Sequence, residues 1–255
     1  MGPYFFVFSG SPEATVKVCH GPAHPAKSGP PLPSRACRAL TESMHVTKHE
    51  HACLRLERDG KTLIIDPGTF TSPLDGLNDV VAVVITHEHP DHWTSQHLSS
   101  ILEQFPNIPV YGPEGVVRAA AGFDIREVSP GDKLEAGPFS LEFFGGHHAV
   151  IHESIPVIDN VGVLVDDEFY YPGDSYAVPK GAKVKLLAAP VGAPWLKIGD
   201  AMDFVLEVKP RRVFATHDMT LSPAGLSMGR ERLTWAAQQD GGEFVALDPG
   251  DSIDI

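Results

Sequence analysis

The amino-acid sequence predicts an α/β protein with mixed sheets. From about residue 44 onward, apolar runs rich in β-branched residues are separated by turn clusters, which is typical of strands. Segments with apolar side chains at helical spacing lie between several of these runs, and such interleaving favours the α/β class. The 255-residue length and 42% hydrophobic content allow one or two domains with a large core.

The first half of the folded region predicts a hairpin, a buried strand and a helix. Asp59-Gly60 separates the first two apolar runs and is a typical two-residue hairpin turn. Pro109 confines the fourth run to a sheet edge or a strand start, because proline cannot donate to the ladder. The predicted strands here are 52–56, 62–65, 80–85 and 108–111, and the predicted helix is 93–105.

The second half predicts further strands and two helices. The strand-like apolar runs are short and rich in Val, Phe and Tyr. Two other segments have apolar residues at helical spacing, and the second of them begins at Pro223. The predicted strands are 139–144, 161–165, 169–171, 185–189 and 212–215, and the predicted helices are 201–208 and 223–239.

Residues 1–43 differ from the rest of the chain. They are rich in Pro and Gly and show neither helical nor strand periodicity, so we expect a flexible extension followed by one folded domain over 44–255. A second interpretation is that Met44 is the true start and that the upstream segment is an annotation artefact.

Composition and charge exclude several classes of function. The formal net charge of −13 argues against a nucleic-acid-binding surface and against docking on an anionic membrane. The longest apolar run, 80–85, is far shorter than the roughly 20 residues of a membrane-spanning helix. The three cysteines, Cys19, Cys37 and Cys53, show no disulfide or zinc-site spacing, so a reducing, cytoplasmic location is expected.

The segment 86–92, Thr-His-Glu-His-Pro-Asp-His, holds four potential metal ligands directly after an apolar strand. His87 and His89 are two residues apart, so in an extended strand end they point the same way and can bind one ion. Asp91 and His92 follow at the turn and can face a second ion. The alternative is a charged turn that caps the next helix.

Further His and Asp residues follow other predicted strands. They are His147, His148 and His152 after 139–144, Asp174 after 169–171, and His217-Asp218 after 212–215. Loops on a rigid scaffold are the usual place for a site, so these strand ends can converge on one edge of a sheet sandwich.

Together, His87-x-His89-x-Asp91-His92, the later histidine, Asp174 and His217 resemble the metallo-β-lactamase fold superfamily of dinuclear metal hydrolases. The resemblance covers the chain from about Met44 and implies a four-layer αβ/βα sandwich with the metal site at one edge of the two sheets. The Gly-Gly-x-His-Ala-x-Ile-His and Pro-Gly-Asp segments look most like the branch of L-ascorbate-6-phosphate lactonase-like hydrolases.

The resemblance also implies a ligand set. Carried over residue by residue, His87, His89 and His148 would bind the first ion, Asp91, His92 and His217 the second, and Asp174 would bridge them. His147 and His152 compete with His148, which we favour because it precedes an alanine as in the branch motif. Imidazole and carboxylate ligands suit zinc first, with manganese or iron possible.

Several other residues are weaker candidates for orienting a ligand or facing substrate. Asp66 lies in an Asp-Pro-Gly turn, which explains it equally well, and Asp218 neighbours His217. The segment 194–197 either forms a pocket wall, with Lys197 facing an acidic group, or contains a core Trp195 and a solvated Lys197. His152 is either a substrate-facing group or a loop residue. Four further histidines, His45, His49, His51 and His97, are expected at the surface.

These residues predict metal-assisted hydrolysis of a small molecule. Paired ions lower the pKa of water enough to supply hydroxide, and Asp91 is the expected catalytic carboxylate. A carbonyl or phosphoryl bond is expected, with a lactone or ester first. One alternative is an iron-dependent oxygen or sulfur redox enzyme on the same fold, and another is a non-catalytic metal-binding protein.

Overall fold

The computed structural model describes residues 43–255. The predicted extension over 1–43, which includes Cys19 and Cys37, lies outside this part of the chain apart from residue 43. Cys53 is buried and free. None of the described helices is both long and apolar enough to cross a membrane.

The described chain contains short strands and four α-helices. The strands are β1 His45–Lys48, β2 Leu54–Arg58, β3 Lys61–Ile65, β4 Val80–Val84, β5 Val110–Gly112, β6 Ile125–Glu127, β7 Lys133–Ala136, β8 Phe139–His147, β9 Asp159–Val165, β10 Phe169–Tyr171, β11 Leu186–Pro190, β12 Arg212–Thr216, β13 Glu243–Phe244 and β14 Ser252–Asp254. The helices are α1 Ser95–Gln104, α2 Glu114–Ala119, α3 Ile198–Val208 and α4 Pro223–Gln239.

The strands form two seven-stranded mixed sheets. The first has the order β14-β1-β2-β3-β4-β5-β6 and the second the order β13-β12-β11-β10-β9-β8-β7. A large apolar core, with Leu56 and Phe143 among its fully buried members, lies between the sheets. Two smaller cores lie under helices α1 and α2 on the first sheet and under α3 and α4 on the second. The predicted four-layer sandwich is therefore confirmed.

Local sequence accounts for the elements that were predicted. Asp59 and Gly60 both have positive φ, 51° and 69°, as a two-residue hairpin turn between right-twisted strands requires. Strand β10 and helix α4 have the predicted bounds, and Pro109 precedes β5, consistent with the expected strand start. The short or polar elements α2, β6, β7, β13 and β14 were missed. Strands β13 and β14 pair with β12 and β1, which are distant in sequence, whereas β7 pairs with the adjacent β8 but is polar and mostly exposed.

The topology brings many strand ends to one edge. Strands β3 and β4 are parallel neighbours in the first sheet, and β10, β11 and β12 are parallel neighbours in the second. Strand β8 runs in the same direction as β10, because each pairs antiparallel with β9. The loops that follow these strands therefore leave the same edge of the sandwich, where the His and Asp residues lie.

Candidate dinuclear metal centre

Two groups of potential ligands lie side by side at this edge. The first His/Asp group contains His87, His89, His148 and Asp174; the second contains His51, Asp91, His92 and His217. Within each group, one ligand atom per residue lies within 4.8 Å of the others. All members are buried except His89 and Asp91, which are half-buried.

Asp174 lies between the two groups. Its Oδ2 is 3.4 Å from His148 Nε2 and 3.1 Å from His217 Nε2, and its Oδ1 is 3.3 Å from His92 Nε2. In the first group, His87 Nε2 and His89 Nδ1 are 3.0 Å apart. Two ligands about 2.0–2.1 Å from one tetrahedral ion lie about 3.3–3.4 Å apart, so these separations suit shared ions.

The buried ring nitrogens that face this space carry no hydrogen bond. The Nε2 atoms of His92, His148 and His217 and the Oδ1 atom of Asp174 have no partner of acceptable geometry among the described residues. Unsatisfied buried polar atoms are costly, and four of them aimed at one region call for an explanation. The donor set, imidazole nitrogen and carboxylate oxygen, fits divalent metal ions.

The opposite ring nitrogens fix the tautomers. His148 Nδ1 donates to the carbonyl of Ala149 at 2.5 Å, and His217 Nδ1 donates to the carbonyl of Gly192 at 2.6 Å. A carbonyl can only accept, so each Nδ1 carries the proton in the neutral ring and each Nε2 keeps a lone pair. In the neutral rings these lone pairs point toward Asp174, and a metal can use them once any second ring proton has been lost.

Asp66 plays the same part for His92. It is fully buried, and its Oδ2 accepts from His92 Nδ1 at 2.7 Å and from the Thr86 hydroxyl at 2.6 Å. Because that hydroxyl gives its one proton to Asp66, Thr86 Oγ1 accepts from His87 Nδ1, 3.1 Å away. One carboxylate thus orients one histidine in each group.

The turn that carries Asp174 is held by Asn160, a fully buried side chain. Asn160 Nδ2 donates to the carbonyl of Pro172 at 2.9 Å, and its Oδ1 accepts from the backbone N–H of Asp174 at 3.0 Å. Gly173 has a φ of 63°, and a Cβ there would lie 2.4 Å from Asn160 Oδ1. The Pro-Gly-Asp sequence therefore requires glycine at its centre.

The buried His and Asp side chains of the cluster shift one another's pKa values. Burial alone lowers the pKa of His217, but Asp174 outweighs it and raises the pKa to about 9. Burial likewise opposes charge on His92, yet Asp174 and Asp66 hold its pKa well above the usual value. Burial raises the pKa of Asp174, but the nearby His92 and His217 hold that pKa well below its usual value. Without metal, the cluster therefore keeps protons on His92 and His217.

The competing candidates for the third ligand of the first ion separate clearly. His148 is buried within the first group, whereas His147 and His152 are exposed. His152 Nδ1 contacts only the Ser154 hydroxyl and backbone N–H. The structure thus brings His148 to the cluster and leaves the other two histidines outside it.

Two other candidates do not face the cluster. The Lys197 side chain is 81% exposed and lies 3.6 Å from Asp200, which agrees with the solvated alternative and not with a residue that faces the site. Asp218 forms a buried ion pair with Lys48 at 3.1 Å and does not bond the ring of His217, whose Nδ1 contacts Gly192 instead.

The expectation that His51 lies at the surface is wrong. Its side chain is fully buried, and its Nε2 is 3.1 Å from Asp91 Oδ2. Burial lowers the pKa of His51, so the ring is neutral near pH 7. The available signal was His49-x-His51 directly after a strand, the same pattern that marks the other site residues. His97 is half-buried and bonds the Thr71 carbonyl, and His45 pairs with Asp254.

Trp195 is a second site residue that sequence reasoning left open. Its half-buried indole Nε1–H donates to Asp174 Oδ2 at 2.8 Å, and its ring lies 5.8 Å from that of His148. The sequence allowed Trp195 to line a pocket or to lie in the core, and it lines the site. No local pattern reveals such a contact, because it depends on how the β11–α3 loop folds back.

Comparison with known proteins agrees with this geometry. Residues 45–217 match the family described as the Beta-lactamase superfamily domain. The chain belongs to the β-lactamase superfamily. It is 37% identical over 196 residues to Protein Rv0786c of Mycobacterium tuberculosis, covering 75% of this chain and 92% of that protein.

More distant proteins resemble part of the sequence or share the fold. A hydroxyacylglutathione hydrolase of Pectobacterium carotovorum is 29% identical over 109 residues, which make up 41% of this chain and 42% of that enzyme. Igni18, a metallo hydrolase of the archaeon Ignicoccus hospitalis, superposes with a TM-score of 0.65 at 17% identity, covering 84% of this chain and 98% of that one. At the level of enzyme class, the prediction of a β-lactamase-superfamily metal-dependent hydrolase is confirmed.

Proposed function

We propose that this protein is a dinuclear metal-dependent hydrolase that cleaves a carbonyl ester bond, a lactone first, in a small neutral molecule. The observation that carries the proposal is the set of buried, unpartnered Nε2 atoms of His92, His148 and His217 around Asp174. In our assignment His87, His89 and His148 would hold the first ion, Asp91, His92 and His217 would hold the second, and Asp174 would serve both.

Two bound ions would lower the pKa of water from 15.7 toward about 7 and would polarise the attacked carbonyl. Zinc is the first choice for this set of imidazole and carboxylate ligands. Manganese and iron remain alternatives, because no thiolate is among the proposed ligands to favour zinc over them.

Asp91 is the proposed catalytic carboxylate. Its side chain is 25% exposed, whereas those of Asp174, His92 and His217 are at most 3% exposed, so Asp91 faces the space that substrate can enter. Hydrolysis forms a bond from water oxygen to the carbonyl carbon, breaks the bond to the leaving oxygen and moves one proton. Asp91 orients the water and passes that proton to the leaving oxygen, which gives an acid and an alcohol.

The rim of the site supports a substrate with an apolar part. Large apolar side chains are 43–62% exposed on the loops that leave the cluster: Phe70, Val150, Ile155, Val157 and Met219. Phe70 packs on the His51 ring at 4.7 Å, and the loop beginning at Ala149 is tied to Asp174 by a backbone hydrogen bond. Exposed apolar side chains gathered at one place mark a binding surface more often than scattered ones.

The same loops disfavour an anionic substrate. Residues 66–79, 148–158 and 217–222 contain no Lys or Arg but do contain Asp and Glu. A phosphate or a polycarboxylate would find no fixed cation on them. We therefore retain lactone chemistry from the L-ascorbate-6-phosphate lactonase-like resemblance but expect no phosphate on the substrate.

Metal content per chain is the first test. We expect near two ions in protein purified without added metal, and a loss of at least one ion together with turnover in His89→Ala. His45→Ala, at a histidine outside both groups, is the matched control and should keep both ions. Less than one ion per chain, not restored by added zinc, would overturn the proposal.

The bond type is tested with a matched panel. We expect kcat/KM for uncharged lactones and aryl esters to exceed that for an aryl phosphodiester by at least tenfold with the same metal-loaded protein. Turnover of the phosphodiester alone would contradict the carbonyl assignment. Mainly bound iron, with oxygen consumption and no ester turnover, would favour the redox alternative instead.

A further inference from the structure

We propose that His51 is a positioning residue that holds Asp91 through an Nε2–H donor, and that it is not a metal ligand. This inference rests on the proposed function, because Asp91 is assigned there to an ion and to proton transfer. The proximity of His51 to Asp91, His92 and His217 alone is compatible with a fourth ligand to the second ion. The hydrogen bonds around the His51 ring distinguish the two roles.

Both ring nitrogens of His51 have partners. The backbone N–H of Met219 donates to Nδ1 at 3.3 Å, so Nδ1 carries a lone pair and no proton. In a neutral ring the proton then lies on Nε2, which is 3.1 Å from Asp91 Oδ2, an atom that can only accept. The Nε2 lone pair that a metal would need is therefore already used by a proton.

This arrangement is the reverse of that in the proposed ligands. In His148 and His217 it is Nδ1 that donates, to a carbonyl in each case, and Nε2 is left unpartnered toward Asp174. His51 presents a proton to the cluster where these residues present a lone pair.

Backbone contacts fix His51 in place. Its carbonyl accepts from the backbone N–H of His217 at 2.8 Å, and its ring lies 3.9 Å from the His217 ring. The buried Lys48–Asp218 ion pair, at 3.1 Å, ties the same two loops together. His51 has a φ of 60°, a conformation that non-glycine residues adopt at an energetic cost, and these contacts hold it there.

The hydrogen bond from His51 fixes the carboxylate of Asp91, whose side chain is otherwise partly exposed. Asp91 Oδ2 also lies 3.3 Å from His217 Nε2, so the His51 donor sets the oxygen that shares an ion with His217. Without the donor, this partly exposed side chain can rotate away. Partners of this kind typically change metal affinity or activity by about 10–100-fold when removed.

The test compares His51→Leu, which removes the donor, with His51→Gln, whose amide can replace it. At saturating zinc we expect two ions per chain in both variants. In chelator competition, the more weakly held ion should bind about 10–100-fold less tightly in His51→Leu and recover most of that loss in His51→Gln. His45→Gln, a matched change at a surface histidine, should stay within twofold of wild type.

A second measurement reads the tautomer directly. In protein labelled with ¹⁵N-histidine, we expect long-range ¹H–¹⁵N spectra to show His51 protonated at Nε2, both before and after zinc is added. Loss of that proton on zinc addition, or a His51→Leu variant that saturates at one ion, would make His51 a ligand and overturn the proposal. Unchanged affinity in His51→Leu would overturn it as well.

The two proposals can fail separately. If wild-type protein bound no metal, the proposed function would fall, but the metal-free spectrum would still show whether His51 donates to Asp91. If His51→Leu did not fold, His51→Gln and the wild-type spectra would still decide the role of His51.

Discussion

The side chain of Asp66 orients one histidine in each of the two proposed metal sites. Its Oδ2 accepts from His92 directly and from His87 through the Thr86 hydroxyl, and its Oδ1 accepts from the Thr86 backbone N–H at 2.8 Å. All of these contacts are buried, so water cannot replace a lost acceptor. The tautomers of a histidine in each group therefore depend on this one side chain.

We expect Asp66→Asn to weaken both metal sites. An amide nitrogen facing the Nδ1–H of His92 or the Thr86 hydroxyl would place donor against donor, so the ligand rings would turn or change tautomer. The expected loss is about 10–100-fold in affinity for each ion, measured by chelator competition. Asp203→Asn, an exposed position on α3, is the matched control; equal effects of the two changes would show that Asp66 does not orient the ligands.

The raised pKa values of His217 and His92 predict how metal affinity depends on pH. His217, with a pKa of about 9 in the metal-free protein, is protonated at pH 7 and must lose that proton to bind an ion. Apparent zinc affinity should therefore rise with pH up to about 9, by about tenfold per unit for each proton displaced. Affinity that stayed flat between pH 7 and pH 8 would contradict this coupling.

The same shift has the opposite effect on the stability of the metal-free protein. A folded-state pKa above the unfolded value stabilises the protein fully below about pH 6.5, and that stabilisation is lost as the pH rises through about 9. Thermal unfolding of chelator-treated protein should show this contribution of His217 as a midpoint that falls over that range, whereas His217→Gln should lack it.

Among the secondary-structure elements, the turn between β4 and α1 packs against the turn that follows β3. Thr69 N–H donates to the Pro90 carbonyl at 2.9 Å, and a Cβ on Gly68 would lie 1.8 Å from the carbonyl oxygen of Asp91. The two turns are therefore in backbone contact, and the position of Asp91 depends on the absence of a side chain at Gly68.

We expect Gly68→Ala to displace Asp91 and to destabilise the protein by about 1–3 kcal/mol, the usual range for overpacking. The thermal midpoint should fall by about 2–4 °C per kcal/mol, with weaker binding of the second ion. Gly199→Ala is the matched control in α3, where a Cβ meets open space, and it should leave both quantities unchanged or slightly improved. A normal metal affinity in Gly68→Ala would show that Asp91 tolerates the shift.

The elements predicted from sequence are those whose signals are local. Strand β10 and helix α4 were predicted within their observed bounds, and the segment 86–92 marked the site because a strand end fixes its spacing. His51 was missed because its hydrogen-bond partners, Asp91 and Met219, are 40 and 168 positions away in the chain. Strand β14 forms only by pairing with β1 at the opposite end of the described chain, a contact that no local pattern announces.

At the scale of the whole molecule, charge and shape set which substrates approach. The full chain carries a formal net charge of −13, and the loops 66–79, 148–158 and 217–222 beside the cluster add acidic side chains but no Lys or Arg. Two divalent ions with Asp91, Asp174 and a hydroxide would leave the centre itself close to +1. The long-range field therefore opposes an anion that the centre alone would attract.

This conflict predicts a specific dependence on salt. At about 0.01 M salt the Debye length is about 30 Å and an approaching anion is repelled by the whole protein, whereas at about 0.15 M it is about 8 Å and most of that repulsion is screened. We expect kcat/KM for a carboxylate-bearing ester to rise several-fold between these conditions, and that for its uncharged isostere to stay constant. A fall with salt for the anionic ester would mean that local attraction dominates, and the natural substrate would then have to be sought among anions.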